Sequence, residues 1–231
     1  MEMKRGKLVN FGIGFPTSIS SVAFEDGISD KIIFSIESGA TGGIPVSGRS
    51  TGASFNPDAI LKQPDIFDFY DGGGLDIGYL GLAEADEDGN VNVSKFAGRV
   101  TEPGGFINIT QNAKKVCFLG TFTAGESEIE IKDGKVNIIK DGEILKFKKK
   151  VEQITFSGEY SKNNDKQEVY FITQRCVFKL NNNGLELIEI APEVGLEKDI
   201  LNKMEFVPKI SDDLRLMDSR LFNTDKMGFE I

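Results

Sequence analysis

The chain has 231 residues, 39% of them hydrophobic and 27% charged, and its 27 basic against 36 acidic residues leave a formal net charge of −9. That is enough apolar material for one large α/β unit, and a field of that sign repels nucleic-acid phosphates and anionic lipid, so neither is expected as a partner. The sequence contains no histidine, which excludes a Ser-His-Asp triad, a Cys-His pair or a His-ligated metal site made from its own residues and leaves chemistry to carboxylates, hydroxyls, amines and the backbone.

Met1-Glu2-Met3-Lys4-Arg5-Gly6 lacks the apolar core of a signal peptide, and no stretch approaches the roughly 20 apolar residues that span a bilayer, so a soluble cytoplasmic protein is expected. Leu8-Val9-Asn10-Phe11-Gly12-Ile13-Gly14 reads as a short buried strand running into a tight turn, and Pro16 suits the first turn of a helix that continues to about Glu25. Ile32-Ile33-Phe34-Ser35-Ile36 is a second apolar strand. Strand, helix and strand in this order predict a parallel sheet, whose ligands gather at the carboxyl ends of the strands, and Glu37 follows the second strand immediately.

From there the composition shifts, since 16 of the 26 glycines lie between Gly39 and Gly125, which marks a segment rich in loops and in close backbone approaches. Within it, 75–83 and 90–93 read as strands flanking the turn Asp88-Gly89, and 116–122 as a further buried strand. After Gly125 the apolar residues alternate, with Asp133-Gly134 and Asp141-Gly142 as hairpin turns, and strands follow at 154–156, 169–172, 177–180 and 185–190, the last two joined by Asn183-Gly184. Helices are expected at 196–204 and around 214–222. Lys148-Lys149-Lys150 reads as a solvated strand end, and Cys117 and Cys176, each inside an apolar run, as reduced core residues. The expected fold is α/β, an open and mostly parallel sheet with antiparallel hairpins in the carboxyl-terminal half. It forms one domain over 1–231, glycine-rich and catalytic over 1–126, with antiparallel strands plus C-terminal helices over 127–231.

Gly12-Ile13-Gly14 and Glu37, 23 residues beyond Gly14, have the outline of a dinucleotide-binding fingerprint, but its third glycine would fall on Thr17 and Pro16 removes a backbone donor. A strand-to-helix turn lining a cleft is the better reading. Glu37-Ser38-Gly39-Ala40 places a carboxylate before small residues. Such a glutamate is either a capping or solvated side chain, or a nucleophile able to form covalent acyl intermediates without a histidine base. Attack on a thioester creates an oxyanion, and Thr101-Glu102-Pro103-Gly104-Gly105-Phe106 offers exposed backbone amides for it, if it is more than an ordinary turn. Tyr70-Asp71-Gly72-Gly73-Gly74 has no following Gly-Lys-Ser/Thr and is not a nucleotide P-loop.

Taken together, five segments resemble the family I coenzyme A transferases in order and spacing: Asn10-Phe11-Gly12-Ile13-Gly14-Phe15-Pro16, Glu37-Ser38-Gly39-Ala40, Phe69-Tyr70-Asp71-Gly72-Gly73-Gly74, Gly104-Gly105-Phe106-Ile107-Asn108-Ile109-Thr110-Gln111-Asn112 and Gly120-Thr121-Phe122-Thr123-Ala124-Gly125. The likeness is to the acetate, propionate and acetoacetate type, covers nearly the whole chain, and corresponds to the carboxyl-terminal, β-subunit-like half. It implies the fold of that family, shared with sugar-phosphate isomerase-like proteins, and Glu37 as the catalytic glutamate that carries CoA as a glutamyl thioester. It further implies Gly39, Gly104, Gly105 and Phe106 at the cofactor site, CoA and acyl-CoA as substrates with no tightly bound cofactor and no metal, and a carboxylic acid such as acetate as acceptor. A companion α-type half or subunit is implied as partner in a homo- or hetero-oligomer. The family pattern Gly-x-Gly-Gly-Phe falls on 102–106, where Glu102 replaces the first glycine. The resemblance leaves open a catalytically inactive scaffold or regulatory half.

Overall fold

Valine, isoleucine, phenylalanine and cysteine fill both faces of the strands near the middle of the main sheet, which is why these segments read as unbroken apolar runs. The computed structural model describes residues 2–46, 48–96, 98–164, 167–223 and 225–231. In chain order, the main sheet and its cover are built from β1 (Leu8–Phe11), α1 (Ser18–Glu25), β2 (Ile33–Ser35), β3 (Ala40–Thr41), β4 (Ala59–Ile60), α2 (Gln63–Asp71), β5 (Ile77–Gly81), α3 (Phe106–Gln111), β6 (Lys115–Leu119), β7 (Glu168–Ile172), β8 (Cys176–Asn181), β9 (Gly184–Ile190) and β10 (Lys209–Leu216).

The ten strands lie in the order β10-β9-β8-β7-β6-β5-β1-β2-β3-β4. From β7 through β6, β5 and β1 to β2 every neighbour is parallel, as the first strand–helix–strand unit requires. Towards one edge β8 and β9 turn back as an antiparallel hairpin, and towards the other β3 and β4 do the same. Side chains alternate between two cores. Val9, Phe34, Tyr79 and Cys117 point towards α1 and pack with Ala23, while Val116, Phe118 and Phe171 point towards α2 and α3 and pack with Ile66 and Ile109. Phe118 contacts the rings of Phe106, Phe156 and Phe171 at centroid distances of 5.7, 5.1 and 5.3 Å. Full burial of a ring of this size contributes roughly 1.5–3 kcal/mol. The two cysteines are free and buried, and burial pushes the Cys176 thiol up to about 12.

Several local expectations fail, among them the strand at 154–156, of which only an isolated bridge between Phe156 and Val91 forms. Asp133-Gly134 does turn a hairpin between Glu128–Lys132 and Lys135–Lys140, with both turn residues at positive φ, but Asp141-Gly142 does not. Asp141 instead pairs with Arg175 and with Lys203 (3.1 Å), and Ile144–Leu145 returns to pair with Thr123–Ala124. The helix expected around 214–222 is replaced by β10, which runs parallel to β9, followed by one 3₁₀ turn at Ser219–Phe222. The expected helix at 196–204 is reduced to a π turn at Leu196–Ile200 and a 3₁₀ turn at Leu201–Lys203. Among the described residues no helix is long and apolar enough to cross a membrane.

Candidate active site

The carboxyl end of β2 closes into a tight turn in which Gly39 N–H donates to the Ile36 carbonyl (2.9 Å) and Ile36 N–H to the Ala40 carbonyl (3.0 Å), leaving Glu37 and Ser38 at the tip. The turn depends on glycine. Gly39 has φ of 111°, and a β-carbon there would lie 2.0 Å from the Leu61 carbonyl oxygen. Gly39 therefore sets where Glu37 stands, and it does not itself line the cleft that Glu37 enters.

That cleft, about 450 Å³, opens along the carboxyl ends of β1, β2 and β5. Glu37, Gly12, Leu80 and the 102–106 loop form its walls, which brings Glu37, Gly104, Gly105 and Phe106 together. A groove of about 530 Å³ beside the Asp133-Gly134 hairpin is larger, but its walls are charged surface side chains such as Glu130, Lys132 and Glu193, far from the strand ends where such sheets hold ligands.

Glu37 is half-buried, and among the described residues it takes part in no ion pair. Burial raises its carboxyl above the ordinary glutamate value, and the backbone amide of Gly105 pulls in the opposite direction. The two are in close contact: a β-carbon at position 105 would lie 2.2 Å from Glu37 Oε2 and 2.9 Å from the Phe67 ring. The Gly105 amide is free to face this carboxylate. Phe106 N–H is used by the Pro103 carbonyl (3.1 Å), whereas the amides of Gly104 and Gly105 donate to no backbone carbonyl among the described residues. Phe106, buried against Phe118, anchors the loop, and α3 begins where Ile109 N–H reaches the Gly105 carbonyl (3.0 Å).

Behind the Glu37 turn lies a polar cluster that sequence reasoning missed. Tyr70, fully buried on α2, donates to Ser35 Oγ (2.8 Å), while Asn10 Nδ2 reaches both the Tyr70 hydroxyl (3.1 Å) and the Ser35 carbonyl (3.2 Å). Burial raises the Tyr70 hydroxyl, and the negative charge of Glu37 adds to that rise. The available signal was Asn10 itself, a polar residue inside an otherwise apolar strand. Lys146 was missed as well. Its buried ammonium donates to the Thr121 carbonyl (2.8 Å), pinning the Gly120-Thr121 turn at the end of β6, and burial lowers it to about 8.

No protein-family model matches the chain. It is 50% identical over 235 residues to a caffeate CoA-transferase of Acetobacterium woodii, covering 100% of this chain and 44% of that protein. The crystal structure of a thioester complex with CoA of the acyl-CoA transferase YdiF of Escherichia coli O157:H7 superposes with a TM-score of 0.93 at 47% identity, over 100% of this chain and 43% of that one. The acetate CoA-transferase β subunit of Haemophilus influenzae is 27% identical over 231 residues, covering 94% of this chain and 91% of that subunit. The chain thus spans less than half the length of the first two relatives and nearly the whole of a separate subunit.

Proposed function

We propose, since the chain belongs to the family I coenzyme A transferases as the half that corresponds to their carboxyl-terminal, β-subunit-like part, that it carries the nucleophile of a CoA transfer reaction and that Glu37 is that nucleophile. One observation carries the reading: a half-buried carboxylate without an ion pair among the described residues stands against the backbone of Gly105 in a cleft that Gly104 also lines.

The reaction proceeds by exchange of carboxylates. Glu37, as carboxylate, attacks the thioester carbonyl of an acyl-CoA, and the resulting oxyanion accepts hydrogen bonds from the amides of Gly104 and Gly105 before it collapses to a mixed anhydride and CoA thiolate. The thiolate then attacks the glutamyl carbonyl, releasing the first acid and leaving CoA as a thioester on Glu37. A second carboxylic acid, of the short-chain type such as acetate, reverses both steps and departs as its CoA thioester, with Glu37 regenerated and no net proton taken up. CoA is a substrate throughout, held along the cleft by the Gly104-Gly105-Phe106 main chain and ring, with Gly39 holding the nucleophile's turn in place. The thioester complex with CoA of the E. coli enzyme supports this path.

Catalysis requires a companion. Ile13 and Phe15, 68% and 70% exposed on the turn after β1, form an apolar rim beside the cleft, and the α-type half or subunit covers it in the assembled enzyme. A cytoplasmic location goes with this reading, because acyl-CoA is a water-soluble substrate. The test is exchange of label between acyl-CoA and free acid by the assembled enzyme. Glu37→Ala abolishes it, and a Glu37→Ala enzyme that still exchanges label refutes the assignment.

A further inference from the structure

The charged side chains lining the Glu37 cleft are both acidic. Besides Glu37 itself there is Glu102, exposed at the mouth, and no lysine or arginine among the described residues lines the cleft. The rest of the wall is apolar or backbone, with Ile13, Leu80, Val93 and Phe106 supplying side chains. Neither glutamate is in an ion pair among the described residues.

We propose that Glu102 is a specificity-determining residue, a charge filter that admits acids bearing one carboxylate and rejects those bearing a second; the proposal rests on the CoA-transfer reading of the cleft. An accepting acid brings one carboxylate to the Glu37 carbonyl and uses that charge in forming the new bond. A monocarboxylic acid then presents only its apolar chain to Ile13, Leu80 and Val93. A dicarboxylic acid keeps a second negative group, which on this side of the site must either lose its water against the apolar wall, where none of the described residues lining it is a cation, or turn outward to Glu102. Both positions are unfavourable.

The test uses the assembled enzyme with propionyl-CoA as donor and two four-carbon acceptors, butyrate and succinate, compared through kcat/KM. The wild type prefers butyrate, and Glu102→Gln narrows the butyrate-to-succinate ratio by roughly tenfold, the size expected of one like charge at a partly solvated site. Raising salt from about 0.01 M to about 0.5 M contracts the Debye length from about 30 Å to about 4 Å, so it narrows the ratio in the wild type and leaves it nearly constant in Glu102→Gln. A ratio unchanged by the substitution, or equally salt-dependent in both enzymes, overturns the filter while the CoA-transfer reading stands. Absence of transfer to either acid by the wild type overturns the CoA-transfer reading and the filter with it.

Discussion

Replacing Gly105 by alanine tests the site at its tightest point. Gly105 has φ of −78° and ψ of 6°, which alanine adopts without strain, so the substitution acts through its methyl group. That carbon would lie 2.2 Å from Glu37 Oε2 and 2.9 Å from the Phe67 ring, against about 3.3 Å for a relaxed carbon–oxygen contact. The carboxylate must therefore retreat by about 1 Å, and a displacement of that size at a reacting atom costs on the order of 10²-fold in rate. Glu37 yields as the free end of a side chain, but the Phe67 ring, packed against the core, must shift too, so a modest loss of stability accompanies the change. The expected result in steady-state exchange kinetics is a kcat reduced about 100-fold, a smaller change in KM for acyl-CoA, and a modestly lowered thermal midpoint. Gly104→Ala serves as the control. Its φ of 54° makes the substitution a backbone problem, with nothing within 4 Å of the added carbon. A Gly105→Ala enzyme within threefold of wild-type kcat would mean that the Glu37 carboxylate does not work from its place against this loop.

Further outcomes follow from the same geometry. Burial raises the folded-state pKa of Glu37 above its unfolded value, so its ionisation costs stability at neutral pH and the cost is relieved as pH falls. Glu37→Gln should therefore unfold at or above the wild-type temperature at pH 7, with the gap closing below about pH 4, while wild-type activity falls on the acid side at a pH above that of an ordinary glutamate. A lower Tm for the variant at pH 7 would contradict this. Gly39→Ala places a carbon 2.0 Å from the Leu61 carbonyl at a positive φ and should lower stability by about 2 kcal/mol or more in urea unfolding; a change within about 0.5 kcal/mol would count against the turn. Lys146 titrates near 8 when folded, so between about pH 8 and pH 10.4 the unfolded chain holds its proton more tightly and the contribution of Lys146 to stability rises with pH, against the opposite contribution of the buried thiols of Cys117 and Cys176. The stability of wild type relative to Lys146→Met should therefore rise with pH across that window, and a difference that stays flat would contradict this.

The parts of the fold legible in the sequence are those set by local patterns. Val9, Phe34 and Val116 lie in continuous apolar runs because their strands are covered on both faces, and Asp133-Gly134 turns a hairpin through its own backbone preferences. Glu37 could be singled out because it follows an apolar strand and precedes small residues. What was not legible depends on distant partners. Asp141-Gly142 carries the same dipeptide signal as a hairpin turn, yet Asp141 is claimed by Arg175, which lies 34 residues away. The strand Lys209–Leu216 has few apolar residues of its own and owes its conformation to pairing with Gly184–Ile190. The cluster of Asn10, Ser35 and Tyr70 joins three elements separated by 25 and 60 residues, which no local pattern announces.

The central claim is that Glu37 becomes covalently bound to CoA during turnover. The direct measurement is mass spectrometry of the assembled enzyme incubated with acyl-CoA, quenched in acid and digested. The account predicts that the peptide containing Glu37 gains the mass of CoA less one water, and that the added mass disappears when a second carboxylic acid is supplied before the quench. Rapid turnover with Glu37 unmodified, or the adduct on another residue, would contradict it.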